Sequence, residues 1–156
     1  MLTRLALFLA LILPAVPALA QPDGGQTFET EPLSIVTQAG NRFDFTVEMA
    51  LTPQQQAQGL MFRESMALDA GMLFVFPRVR TAAFWMENTL IPLDMLFIRA
   101  DGTIARIAAN TTPLSRESVP SGEPVRAVLE LNGGLSALLG IQAGDRVLHA
   151  AFGRGD

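Results

Sequence analysis

Apolar and polar side chains alternate along two neighbouring segments of the chain, 33–37 and 42–49. A period of two is typical of a β-strand with one buried face. The polar, glycine-containing segment 38–41 lies between them, so the pair is predicted to form a β-hairpin. On the second strand, the predicted buried face consists of Phe43, Phe45, Val47 and Met49.

Further strands are predicted between clusters of turn residues. The wholly apolar run 72–76 indicates a strand that is buried on both faces and ends at Pro77. The dipeptide Asp101-Gly102 predicts a hairpin turn. The segment 111–124 contains three prolines and is predicted to be the longest irregular stretch. The remaining predicted strands are 93–99, 103–109, 125–131 and 146–152.

Two short helices interrupt this β pattern. Thr52 precedes Pro53, and Gln55 completes a capping box, so a helix is predicted to begin here and to end at Gly59. A second predicted helix, 133–139, is bounded by Asn132 and Gly140. Eight or nine short strands with two short helices predict a mainly β fold, a compact β-sandwich or jelly-roll-like barrel.

The first twenty residues predict export. Arg4 precedes the apolar run 5–13, and Ala18-Leu19-Ala20 matches the small-residue pattern of a signal-peptide cleavage site. We therefore expect a signal peptide, 1–20, that is cut after Ala20, a periplasmic or secreted mature protein, and no membrane insertion after cleavage. The rest is predicted to form a flexible leader (21–32), one β domain (33–152) and a short tail (153–156).

Composition narrows the classes of function. The net charge is −4, which does not favour nucleic acid as a partner. The chain has no cysteine and one histidine, His149, so the usual zinc and copper sites are not expected. All 11 basic residues are arginines, which removes lysine Schiff-base chemistry. We expect no metal and no cofactor.

Several motifs occur in an order that resembles one protein family. They are 59–63, 71–74, 84–86 with Asn88-Thr89, 91–94 and 129–132. In this order they resemble the DUF192 family, bacterial and archaeal single-domain proteins, over about 33–148. The resemblance implies a mainly β, jelly-roll-like domain and carries no established activity or catalytic residue. The position of Glu87 commonly holds lysine in that family, so a solvated side chain is expected there.

Two acidic residues stand in apolar strand patterns, Asp94 and Glu130. A buried carboxylate needs partners, and Arg63 is the candidate cation for either acid, while Asn88 and Thr89 are candidate donors to Asp94. On one interpretation, the acids lock loops to strands through Arg63 and backbone amides. On the other, they line one cleft and divide acid and base roles, as in glycosidases.

Trp85, the only tryptophan, has two interpretations as well. It is either a core residue or a stacking platform for a flat ligand. We therefore carry three hypotheses: an exported module that binds a small polar ligand such as a saccharide or a cell-envelope component, a hydrolase using Asp94 and Glu130, and a pocketless protein-interaction domain. The sequence shows little catalytic machinery, so a non-enzyme is favoured. The candidate ligand-binding residues are Arg63, Trp85, Asn88, Thr89, Asp94 and Glu130.

Overall fold

A computed structural model describes residues 25–153 of the chain, so the predicted signal peptide lies outside the described residues. The described part is mainly β, as predicted. Its seven strands belong to one sheet with the order β5-β4-β6-β3-β2-β1-β7. The elements are β1 Thr30–Val36, β2 Arg42–Ala50, α1 Pro53–Gln58, β3 Ala70–Phe84, β4 Leu93–Ile98, β5 Ile104–Thr111, β6 Val119–Asn132, α2 Leu135–Leu139 and β7 Arg146–Leu148.

The sheet curls into a half-barrel. Neighbouring strands run antiparallel, except that β2 and β3 run parallel across the connection that contains α1. The two edges approach each other at one end, where Thr103 bridges to Arg146. Backbone bonds from Ile104 N to Asp145 O and from Val147 N to Gly102 O, both 2.8 Å, join the edges there.

The sheet separates two apolar clusters. One contains Leu33, Phe45, Val47 and Met49 from the first hairpin, together with residues from all the other strands and α2. This confirms the predicted buried face of β2. The second cluster lies on the other face of the sheet and includes Met72, Phe74, Met95 and Val128. Successive residues of a strand point to opposite faces, so one central strand supplies side chains to both clusters.

The first helix begins as predicted. The Thr52 hydroxyl accepts from Gln55 N, and the Gln55 side chain accepts from Thr52 N, which completes the capping box. Gly59 ends the helix with a φ of +49°. A side chain at this position would lie 3.1 Å from the Phe74 ring, so glycine allows the turn to pack closely on that ring.

Two predicted strand limits are wrong because proline is tolerated at sheet irregularities. β3 passes through Pro77, where the pairing with β6 shifts register between Val75 and Arg80. A bulge leaves no ladder bond for Pro77 to break. β6 already begins at Val119, and its first half pairs with β3 on one side only, so Pro120 and Pro124 occupy edge positions. The irregular segment shrinks to 112–118.

The predicted cap of the second helix is also wrong. α2 begins at Leu135 behind Gly134, which has a left-handed φ of +83° and provides no side-chain cap. Asn132 instead donates to the carbonyl oxygens of Met66 (3.2 Å) and Ala67 (2.9 Å), which ties the end of β6 to the segment before β3. Gly140 ends the helix as predicted. The last strand is shorter than predicted and ends at Leu148.

Asp94 joins three parts of the chain from a fully buried position in β4. Its Oδ1 accepts from Asn110 N at 2.7 Å and from Gly134 N at 2.8 Å, and its Oδ2 accepts from Ser136 N at 2.8 Å. These bonds connect β4 to the end of β5 and to the start of α2. Asp94 therefore has the loop-locking role that one of the two sequence interpretations gave it, through backbone amides and not through Arg63.

We expect Asp94→Ala to lower the free energy of unfolding by about 3 kcal/mol, because one buried and two partly buried amide donors lose their acceptor. Asp94→Asn keeps one acceptor oxygen and should cost less than the alanine variant. Urea denaturation measures both values. Asp44→Ala is the control, since the exposed Asp44 side chain bonds to Ser34 and Arg42 at the surface and should contribute about 1 kcal/mol or less. Equal losses at Asp94 and Asp44 would contradict this role.

Candidate functional site

A pocket of about 330 Å³ opens on the face of the sheet that carries the second apolar cluster. Its walls come from α1 and the turn after it, from β3, and from the irregular segment 112–118, which contributes Arg116 and Ser118. Gln56 holds the helical wall in place, since its Nε2 donates to the carbonyl oxygens of Ala50 and Val75, both at 3.0 Å.

Aromatic side chains form much of the wall. Phe74 and Phe84 contact each other edge to face, with ring centroids 5.1 Å apart, and Phe76 lies on the same wall. Trp85 follows Phe84 and points away from the core, so that 54% of its surface is exposed beside the pocket. The core interpretation of Trp85 is therefore wrong, and the indole is free to contact a ligand.

Glu130 lies in the pocket lining and is 4% exposed. Its cross-strand neighbours are Met72 on β3 and Met95 on β4, whose side chains have no hydrogen-bond donor. Among residues 25–153, no group donates a hydrogen bond to its carboxyl. Burial raises the pKa of this carboxyl to about 8. At neutral pH the group is mainly protonated, so it presents a hydrogen-bond donor to the pocket.

Two arginines line the same pocket. The Arg80 guanidinium lies over the Phe76 ring at 4.5 Å from its centroid, a cation–π contact. Arg116 pairs with Glu87 at 2.6 Å, and the Glu87 side chain is only 24% exposed, so the expected solvated side chain at that position is not found. In the described part of the chain, Arg80 has no carboxylate within ion-pair distance.

Strained backbone borders the pocket. Phe62, Asn88 and Leu114 have φ values of +64°, +55° and +62°. Asparagine adopts this region more readily than other residues except glycine, whereas Phe and Leu rarely do. These three residues belong to one hydrogen-bonded network, because Phe62 N donates to Asn88 O and Leu114 N donates to Thr89 O. Such strain costs about 1–3 kcal/mol per residue and is concentrated at functional sites. The Phe62 and Leu114 side chains are exposed.

The structure brings together three of the six predicted site residues. Trp85, Thr89 and Glu130 line the pocket, and the Asn88 side chain lies next to it, 3.9 Å from the sulfur of Met61. Arg63 pairs with Glu48, so neither Asp94 nor Glu130 is its partner.

Asp94 does not share the pocket. It is opposite Leu131 in the β4–β6 ladder and points with Leu131 into the first apolar cluster, whereas Glu130 points with Met95 to the other face. Because the sheet separates the two carboxyl groups, they cannot divide acid and base roles in one cleft.

Sequence analysis missed Arg80, Arg116 and the phenylalanines of the wall. Phe74 and Phe76 follow a period of two that already placed them in a strand, but the pocket that they line is completed by α1 and segment 112–118, which are distant in the sequence. The sequence offers no signal that identifies Arg80, because the register shift between Val75 and Arg80 interrupts the strand alternation. In residues 25–153 no cluster of three or more metal-binding side chains occurs. The helices of this part of the chain are too short to span a membrane.

Comparison with known proteins assigns the chain to a family. The model of DUF192, described as "Uncharacterized ACR", matches residues 34–149. This chain belongs to the DUF192 family. The matched range contains the whole half-barrel except the first residues of β1, and it contains Arg80, Trp85 and Glu130. A comparison with curated proteins gave no match.

Two solved structures are similar to this DUF192 protein. One is a protein of Sinorhizobium meliloti 1021, provisionally described as a transcription regulator; it is 46% identical, with a TM-score of 0.80 over 83% of this chain and 100% of that chain. The other is a protein of unknown function from Novosphingobium aromaticivorans DSM 12444; it is 41% identical, with a TM-score of 0.76 over 86% of this chain and 94% of that chain. Both support the half-barrel fold.

The raised pKa of Glu130 predicts how the stability of the DUF192 domain depends on pH. The pKa of this carboxyl is about 8 in the folded protein and 4.5 ordinarily, so between these values the folded state holds more protons than the unfolded state. The stability that this proton provides is complete below pH 4.5 and is lost as the pH rises through 8. Between these two pH values the free energy of unfolding falls by up to about 1.4 kcal/mol per pH unit. Urea denaturation from pH 5 to pH 9 measures it.

Glu130→Gln has no such proton to lose. We expect its pH profile to be flatter and its free energy of unfolding to exceed that of the parent above pH 8. Glu117→Gln, an exposed control on segment 112–118, should keep the parent's profile. Parallel profiles for the parent and Glu130→Gln would contradict the raised pKa.

Proposed function

We propose that this DUF192 protein is an exported module that binds a small polar ligand in the pocket beside Trp85. The observation that carries the proposal is that an exposed indole and a buried carboxyl without a partner line one space of about 330 Å³. Ligand sites are typically pockets of about this size, with aromatic walls and a few polar groups that orient the ligand.

Binding is favoured over hydrolysis by the position of the two acids. Glycosidase chemistry needs two carboxyl groups on either side of one bond, and Asp94 is on the far face of the sheet from Glu130. A buried donor, an exposed indole and the Thr89 side chain instead resemble the few orienting groups of a recognition site. The sequence already indicated a saccharide as the ligand class, and a saccharide ring would stack on Trp85.

The transcription-regulator description of the Sinorhizobium meliloti protein does not extend readily to this chain. DNA-binding domains neutralise phosphates with a basic surface, and this chain has a net charge of −4. A small molecule therefore remains the better candidate for the occupant of the pocket.

Intrinsic fluorescence offers a direct test, because Trp85 is the only tryptophan and the chain has no tyrosine. We expect binding of a ligand from a panel of neutral saccharides, organic acids and amines to change the emission of Trp85 and to raise the melting temperature. Trp85→Ala should fold normally, since the indole is half exposed, and should lose affinity at least tenfold in calorimetry.

Leu138→Ala is the matched control for this experiment. Leu138 is a large exposed side chain on α2, outside the pocket, and its loss should leave binding unchanged. If no compound in the panel shifts either signal, or if Trp85→Ala binds as well as the parent, the pocket is not the ligand site.

The proposed export has its own test. We expect the full chain, expressed in a Gram-negative host, to yield a periplasmic or secreted protein that begins at Gln21, because the apolar run 5–13 and Ala18-Leu19-Ala20 form a signal peptide. Replacing Leu9 with arginine should keep the chain unprocessed in the cytoplasm. N-terminal sequencing of each cell fraction measures this. An unprocessed parent chain would contradict the export proposal.

A further inference from the structure

We propose that the pocket selects an organic acid, a small molecule that carries a carboxylate on a flat ring-shaped body, with Arg80 binding the carboxylate and Glu130 donating a hydrogen bond to the ligand. This inference rests on the proposed function, since it names the chemical class of the ligand for the same pocket. Four features of the pocket support it.

The first feature is the charge of the lining. Its ionisable side chains are Arg80, Arg116 and Glu130, while α1 contributes only the neutral Gln56 and Gln58, and the strands on either side of Glu130 place Met72 and Met95 beside it. Burial raises the pKa of Glu130 to about 8, so this acid adds little negative charge at neutral pH. The lining is therefore positive and favours a negatively charged ligand.

The second feature is the state of Arg80. Glu87 offsets the charge of Arg116, but in residues 25–153 no carboxylate lies within ion-pair distance of Arg80. The Phe76 ring covers one face of the Arg80 guanidinium at 4.5 Å and limits its orientations. A guanidinium whose face is covered still presents its edge, and two parallel N–H groups on that edge match the two oxygens of a carboxylate.

The third feature is Glu130 itself. It is more than nine-tenths buried, it lines the pocket, and the described residues give its carboxyl no partner. A protonated carboxyl in an apolar site can donate a hydrogen bond to an acceptor oxygen of a ligand. A bound carboxylate nearby further disfavours ionisation of Glu130, so ligand binding and protonation strengthen each other.

The fourth feature is the shape of the apolar wall. The exposed indole of Trp85 and the partly exposed ring of Phe84 offer surfaces on which a flat ligand can stack, and the buried Phe74 ring supports Phe84 from behind. A ring that carries a carboxylate uses the wall, the guanidinium and the buried donor together. A neutral saccharide leaves Arg80 unused. An amine is a protonated ammonium at pH 7, so it would approach two guanidinium groups and would form an ion pair with Glu130 only after that carboxyl released its proton.

The experiment compares probes of matched shape by Trp85 fluorescence and calorimetry at pH 7. We expect benzoate to bind at least tenfold more tightly than benzamide, and glucuronate at least tenfold more tightly than glucose. Arg80→Gln should abolish this preference. Arg78→Gln is the matched control, because Arg78 is exposed on the same strand and does not line the pocket, so its loss should leave the preference intact.

The pH dependence tests the role of Glu130 separately. In the parent, the affinity for benzoate should be constant between pH 6 and pH 7.5 and should fall about tenfold per pH unit above pH 8, as the donor ionises. Glu130→Gln keeps an N–H donor at every pH, so its affinity should not fall in this range. Urea denaturation of Glu130→Gln at each pH confirms that the variant is folded.

Each alternative result is distinct. Preference for benzylamine over benzoate, with an affinity that rises towards pH 8, would overturn the organic-acid inference and leave the binding function standing. Equal binding of acids and their neutral partners would do the same. If none of these probes binds, the organic-acid inference is overturned; if the wider panel of saccharides, acids and amines also fails, the proposed function fails with it.

Discussion

The antiparallel pairing of β3 with β6 is the constraint on which the rest of this structure depends. These are the two longest strands, with 15 and 14 residues, and β6 also pairs with β4 on its other side. Strand alternation along β6 then sends Ala127, Leu129 and Leu131 into one apolar cluster, and Val128 and Glu130 to the other. The pairing thereby determines that a carboxyl group faces the second cluster, where α1 and segment 112–118 leave a pocket.

Two of the three buried acids among residues 25–153, Asp94 and Glu130, illustrate opposite solutions to the same physical problem. Removing a carboxyl group from water is costly unless hydrogen bonds replace those it made to the solvent. Asp94 has three backbone amides and serves the fold. Glu130 has no such donor among residues 25–153, and burial instead raises its pKa to about 8, which favours the protonated form at neutral pH. Local violations of this kind are expected at functional or strained sites.

The candidate site was only partly predictable. Trp85, the only tryptophan, and Glu130, an acid within an apolar strand pattern, were predicted site residues because both are unusual at such positions. Both line the pocket. The predicted partners of Arg63 were wrong, because the folded chain brings its guanidinium to Glu48 on β2. Arg80 could not be selected, because a bulge at Pro77 alters the alternation that would have shown which way it points.

By itself, the sequence determined the local structure: the hairpin of β1 and β2, the capped start of α1, the glycines that end the helices, the mainly β class and the family. These depend on periodicity, capping and turn chemistry, which act between residues close in the chain. Only the tertiary structure decided that Asp94 and Glu130 face opposite ways and that Arg80, Trp85 and Glu130 line one pocket. Those relations depend on strand register and on packing between distant segments. A shift of one residue in the register of a strand would turn each of its side chains to the opposite face of the sheet.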